Sequence, residues 1–220
     1  MSTLHSTHQW SGADLADALI EGLGCLETDL AREQAVQGLD VLDEVDLHPH
    51  LAAMLQRAGL GVEREVRYPA ARAIRRKSEG RRCDLVLTPD ARELHDPDAA
   101  ATLFDDPDAV ALEEAFWLEV KTVAQFGEAG ANGTWASELL SSVRDDVAKL
   151  AADPALRHKG LLIVLHAAGD EIIEHDLGVW QDRCLEKGLP IGAPWRRRMP
   201  LLDRLGNTVC AVALYPVHNC

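Results

Sequence analysis

Apolar residues recur at two different spacings along this 220-residue chain, and the changes of spacing mark out its elements. Residues 11 to 23 read as a short amphipathic helix. A longer helical stretch is expected from about Thr28 to Val45, with Leu30, Val36, Leu39, Leu42 and Val45 near helical spacing. Pro49 then marks a break or a first turn, with Asp46 and His48 placed to cap the helix it begins. Leu51, Met54, Leu55 and Ala58 continue the helical pattern, and Gly59 and Gly61 supply its stop. The run 62–68 alternates polar and apolar and ends at Pro69, as a strand with one wet face does.

Cys83 to Thr88 is the next expected strand, and Ala115 to Val123 the one after it. Between them, residues 89–114 are long for a connection between strands. They read as an exposed acidic insertion, with Ala99 to Leu103 and Ala109 to Glu114 as short helices. Phe126 to Gly133 carries three glycines and reads as a flexible connection. Trp135, Leu139, Val143, Val147 and Leu150 mark a helix running to about Ala152. Gly160 to His166 is continuously apolar, the mark of a strand buried on both faces. Asp170 to Lys187 reads as a helix and Thr208 to Tyr215 as the last strand. The expected fold class is α/β, a mixed central β-sheet flanked by helices. Residues 1–45 would form an N-terminal helical segment and 46–220 the α/β domain.

Composition narrows the picture. The hydrophobic fraction of 47% suits a chain with a real core, and no apolar stretch is long enough for a transmembrane helix. The start, Met1-Ser2-Thr3-Leu4-His5, has neither a basic region nor an apolar core, so no secretory signal is expected. Five scattered cysteines without a C-x-x-C pair fit a reduced cytoplasm and not a structural zinc site. There is no H-E-x-x-H, G-x-S-x-G or Walker A pattern. A formal net charge of −14 argues against a nonspecific nucleic-acid coating protein. The charge is uneven, however. Residues 64–82 hold eight basic side chains against Glu65 and Glu79, and Arg196-Arg197-Arg198 forms a second basic cluster. Residues 90–114 are the reverse, with nine acids against Arg92.

The candidate chemistry lies on two of the expected strands. Glu119 and Lys121, in Phe116-Trp117-Leu118-Glu119-Val120-Lys121, are two residues apart and would share one sheet face. Asp84 lies in the similar run Arg82-Cys83-Asp84-Leu85-Val86-Leu87. Charged groups in runs this apolar are costly to bury unless paired or ligated.

An Asp on one strand followed by Glu-x-Lys on another resembles the PD-(D/E)XK nuclease superfamily, with Cys83 where the proline would stand. The resemblance spans roughly residues 46 to 167 and implies a restriction-endonuclease-like fold. It implies a divalent-metal-dependent nuclease, most readily an endodeoxyribonuclease, using Mg²⁺ with Mn²⁺ able to substitute. Asp84, Glu119 and Lys121 would be the catalytic set, with Asp84, Glu119 and the carbonyl of Val120 on the metal. Lys121 would orient the attacking water, or help deprotonate it if its pKa were depressed. Many members add an acid from the preceding helix. Glu44 is the candidate, with His48 as a rival, although Glu44 falls on the polar side with Asp40 and Gln37, where a solvated glutamate is the ordinary reading. Gln125 is a further residue near the strand's end, read as a loop residue.

DNA is the expected partner, RNA being allowed by the same chemistry. Arg75, Arg76, Lys77, Arg81 and Arg82 would grip its backbone. Specificity would come from the insertion, from residues 190–207, or from a homodimer mate or partner protein. The acidic balance keeps a second reading open: a catalytically inactive nuclease-fold protein that acts as a binding or assembly module.

Overall fold

The computed structural model describes residues 8–69, 81–95 and 107–219. Its frame is a six-stranded mixed sheet between two helical layers, the α/β arrangement that the patterning predicts. The strands are β1 (Gly61–Arg67), β2 (Arg82–Thr88), β3 (Phe116–Ala124), β6 (His158–Ala167), β7 (Trp195–Pro200) and β8 (Val209–Pro216), and their order is β1-β2-β3-β6-β8-β7. A two-stranded ribbon, β4 (Phe126–Gly127) and β5 (Gly130–Ala131), follows β3 directly. Among the described strand pairs only the central β3–β6 pair is parallel, and the helical run between those strands makes the crossover that a parallel pair needs.

The period of two along β6 divides the core. Leu161, Ile163, Leu165 and Ala167 face one layer, and Leu162 and Val164 face the other. The first layer holds α4 (Val143–Ala151) and α5 (Asp170–Glu186). The second holds α1 (Gly12–Arg32) and α2 (Glu44–Arg57). Helices α1 and α2 pack closely at Gly22, where a Cβ would lie 2.3 Å from the Met54 side chain.

Several elements differ from the sequence expectation. The N-terminal helix is longer than expected and stops at Arg32, and no helix runs through residues 28–45. Val36 and Val45, two of the residues that suggested that periodicity, are exposed. Residues 33–43 form a connection with one short turn, Leu39–Val41. It is pinned by fully buried Asn207, whose amide donates to Asp40 at 2.8 Å and to the Phe126 carbonyl at 2.8 Å. Helix α2 starts at Glu44, capped by the Asp43 carboxylate accepting from the Asp46 amide, so Asp46 and His48 are not its caps. Pro49 lies inside that helix, past its first turn, and so removes the bond that the Val45 carbonyl would accept.

The described parts of the 89–114 segment are not wholly exposed. Residues 109–114 form turns in place of the expected helix, and Val110 and Leu112 enter the core. The expected helix at Ala99 to Leu103 lies outside the described residues. The helix expected from Trp135 is a continuous run of α3 (Trp135–Ser137), a wide π-turn (Glu138–Ser142) and α4. Strand β7 was not anticipated. Its arginines alternate, Arg196 and Arg198 reaching Glu174 of α5 and Arg197 reaching Asp17 of α1. The second basic cluster is therefore spent on internal ion pairs.

His166 on β6 is fully buried, and its Nε2 has no hydrogen-bond partner. Burial pushes its pKa down to about 4, against an ordinary value near 6.5. The folded state thus holds a neutral imidazole where the unfolded chain takes up a proton. Its contribution to stability is complete above about pH 6.5 and is lost as pH falls toward 4, a loss on the order of 3 kcal/mol. Urea unfolding between pH 7.5 and 4 should show a shallower decline for His166→Leu than for the parent chain.

Candidate functional site

The β2–β3 ladder is short. It pairs Leu85 with Leu118, Val86 with Trp117 and Leu87 with Phe116, and then stops, while β3 continues to Ala124. The break falls at Asp84. On the other side of β2, the β1 ladder also skips this position, pairing Arg64 with Leu85 and Val66 with Cys83. The intervening Glu65 has φ 56°, in the left-handed region that a non-glycine residue rarely adopts. The alternation of β2 slips at the same place. Cys83 and Val86, three apart, both enter the core beneath α4 and α5, which a regular strand cannot arrange.

This irregularity lets the Asp84 side chain substitute for the missing ladder bond. Its Oδ2 accepts from the Val120 amide at 2.8 Å. In an extended strand the N–H and C=O of one residue point to the same edge, so the Val120 carbonyl also faces this opening. Asp84 and the Val120 backbone, two members of the expected ligand set, thus meet where the sheet parts.

Glu119 and Lys121 share the α4 face of β3, as their spacing requires. Glu119 is 2% exposed, and both of its oxygens are engaged. Oε1 accepts from the Tyr68 hydroxyl, and Oε2 pairs with Lys149 Nζ at 2.8 Å. Tyr68 is itself fixed by stacking on Trp117. Burial and then the neighbouring Asp84 charge push the Glu119 carboxyl up to about 8, against the opposing pull of Lys149 and Tyr68.

Lys121 meets Glu44 at 2.7 Å and Asp146 at 3.9 Å. Burial works against its ammonium, but the hydrogen bond and charge of Glu44, supported by Asp146 and Asp84, leave its pKa above the ordinary value. It stands here as a cation able to orient a ligand and not as a base. Asp146 and Lys149 lie 3.4 Å apart and three residues apart on α4, beside that helix's buried Val143–Val147–Leu150 stripe.

Helix α2 enters from the opposite layer. Its first residue, Glu44, and His48 one turn later lie on one helix face. A ligand-type atom from each of Glu44, His48 and Asp84 lies within 4.8 Å of the other two. His48 is 5% exposed, and its Nε2 has no hydrogen-bond partner. Two carboxylates and a nitrogen of a buried imidazole fit a divalent cation. In total the site gathers the carboxyl groups of Glu44, Asp84, Glu119 and Asp146 against Lys121 and Lys149, so even with Glu119 protonated the acids outnumber the cations.

Some expected residues fall elsewhere. The Gln125 side chain accepts from the Ala168 amide at 2.9 Å and serves the loop after β6. Arg75, Arg76 and Lys77 lie outside the described residues. Arg81 and Arg82 are exposed just ahead of Asp84, and Arg82 also donates to the Glu65 carbonyl at 2.7 Å. Tyr68, Asp146 and Lys149 carried no sequence signal of a site. Asp146 and Lys149 read as an ordinary surface pair on an amphipathic helix, and only the packing of α4 over β3 turns them inward.

No family model matches this chain, and comparison with curated proteins and with solved structures likewise gives no match.

The Lys149–Glu119 pair should behave as a coupled unit. Above about pH 8, where Glu119 is ionised, Lys149→Met leaves a buried carboxylate without its cation and should lower stability by about 3 kcal/mol in urea unfolding. Adding Glu119→Gln to that variant should recover most of the loss. A double variant as unstable as the single one would show that the ion pair is not what the lysine contributes.

Proposed function

We propose that this chain is a divalent-metal-dependent nuclease of the PD-(D/E)XK type, with a restriction-endonuclease-like fold, acting on phosphodiester bonds, most readily those of DNA. The observation that carries the reading is the convergence of Asp84, Glu119, Lys121 and Glu44 where the β2–β3 ladder parts. The motif residues come from two strands whose order and spacing would suit a purely structural role equally well. Their gathering around one opening is what favours chemistry.

Asp84 and Glu44 supply carboxylates for the cation, and the Val120 carbonyl faces the same opening. A bound divalent ion would polarise a phosphoryl oxygen and lower the pKa of a bound water. Lys121, held as an ammonium between Glu44 and Asp146, is placed to position that water or a phosphate oxygen by charge. Glu119 fixes the floor of the site through Tyr68 and Lys149 and brings a second carboxylate next to Asp84. Arg81 and Arg82 lie on the approach to Asp84, where a phosphate backbone would need local positive charge against the net charge of −14.

A second reading is favoured by one observation. Both Glu119 oxygens are already satisfied from within the protein, as in a site retired to a structural or binding role. Incubation with plasmid and with single-stranded DNA, in Mg²⁺, Mn²⁺ or chelator, separates the two. Metal-dependent cleavage that falls about 100-fold or more in Asp84→Asn and in Lys121→Met supports the nuclease. Cleavage unaffected by either substitution, or none on any substrate with either metal, overturns it.

A further inference from the structure

We propose that Glu44, His48 and Asp84 form a site for a first-row transition ion of the Mn²⁺ to Zn²⁺ series, and that His48 makes the site select such an ion over Mg²⁺. The inference deepens the nuclease reading and borrows from it only the position of the ion beside Lys121.

The donor set itself is read from the packing. Glu44 and His48 are one helical turn apart at the start of α2, and Asp84 reaches them from the irregular position of β2. Among the described residues this is the one group of three such side chains with ligand atoms within 4.8 Å of one another. His48 is 95% buried by its 5% exposure, yet its Nε2 meets neither a protein partner nor solvent. A buried imidazole nitrogen normally finds a hydrogen bond, because leaving it unpaired costs desolvation with nothing in return. One ring nitrogen of His48 lies within 4.8 Å of a carboxylate oxygen of Glu44 and of Asp84, where an ion would give the buried ring a partner.

The chemistry of the donors then selects the ion. Mg²⁺ favours an all-oxygen shell and gives up its waters reluctantly. Imidazole nitrogen favours the first-row transition ions over Mg²⁺, with affinities that rise from Mn²⁺ to Cu²⁺ and fall back at Zn²⁺, so Mn²⁺ is the most demanding probe of that preference. The additional carboxylate that would turn the site toward oxygen ligands is Glu119, and its two oxygens are held by Tyr68 and Lys149. Glu44 is itself shared with Lys121, which weakens the oxygen contribution further and raises the relative weight of the imidazole.

The test uses the full chain, stripped with chelator and without nucleic acid. Mn²⁺ is titrated alone, its free ion followed by electron paramagnetic resonance, with Mg²⁺ as competitor. One Mn²⁺ per chain is expected, displaced only by roughly a 100-fold or greater excess of Mg²⁺. His48→Gln, checked for fold by circular dichroism, should lower Mn²⁺ affinity by about tenfold or more while shifting Mg²⁺ affinity less than about threefold.

Displacement by equimolar Mg²⁺, absence of Mn²⁺ binding, or a His48→Gln chain that binds Mn²⁺ as the parent does would each overturn the proposal. If His48→Gln does not fold, the competition on the parent chain decides alone. A chain that selects Mn²⁺ but cuts no nucleic acid sinks the nuclease reading and leaves this one standing. A chain that cuts DNA but binds both ions equally does the reverse.

Discussion

One hydrogen bond, from the Val120 amide to the Asp84 carboxylate, organises the region on which everything else depends. A backbone donor in a sheet interior must be paired, and here a side chain takes the place of a neighbouring strand. That substitution ends the β2–β3 ladder without leaving a buried donor unsatisfied. It also opens the sheet at one point, so that α2 from one layer and α4 from the other can both reach the same charges. The left-handed Glu65 across β1 is the local cost of holding Asp84 out of register. An apolar residue at position 84 would have no means of closing the gap, so geometry alone demands a carboxylate or its close equivalent there.

The charges in the opening are ordered in pairs. Each lysine is shared between carboxylates: Lys121 between Glu44 and Asp146, Lys149 between Glu119 and Asp146. Asp146 links the two. The negative excess that remains collects toward Asp84 and Glu44, on the side nearest the orphaned imidazole of His48. The three arginines of β7 serve α1 and α5, and Arg204 is taken up by Glu27 at 2.6 Å.

Strand residues were legible in the sequence where burial enforced their pattern. Continuous apolar character in β6 survives folding because each side chain has one layer to enter, whereas the alternation of β1 breaks at left-handed Glu65, so that Val62 and Val66 pack toward opposite layers. Glu119 and Lys121 were placed on one face by the same logic. The error lay at residues 28–45, where a chance helical spacing spanned a connection that Asn207 pins from 160 or more residues away. With Pro49 read as a boundary, Glu44 falls at the end of a helix that the fold does not contain and on its solvent side. A helix that starts at Glu44 and absorbs the proline gives the same residue, together with His48, a common face toward Asp84. Tyr68, Asp146 and Lys149 were invisible for a different reason. Their roles come from a tertiary contact between α4 and β3 that has no local periodicity.

The π-turn at Glu138–Ser142 has its own consequence. Trp135, before it, is tied to α5 through its indole N–H and Asp176. Val143, Val147 and Leu150, after it, seat α4 on the sheet. A π-turn holds one residue more than an α-turn, and one residue is about 100° of rotation. The helical run therefore has two angular settings joined by a phase shift. The upstream end is indexed to a neighbouring helix, and the downstream end, carrying Asp146 and Lys149, is indexed to β3. Shortening that turn by one residue would force one setting to yield to the other, swinging the lysine off Glu119 or the tryptophan off α5, although neither side chain had been altered.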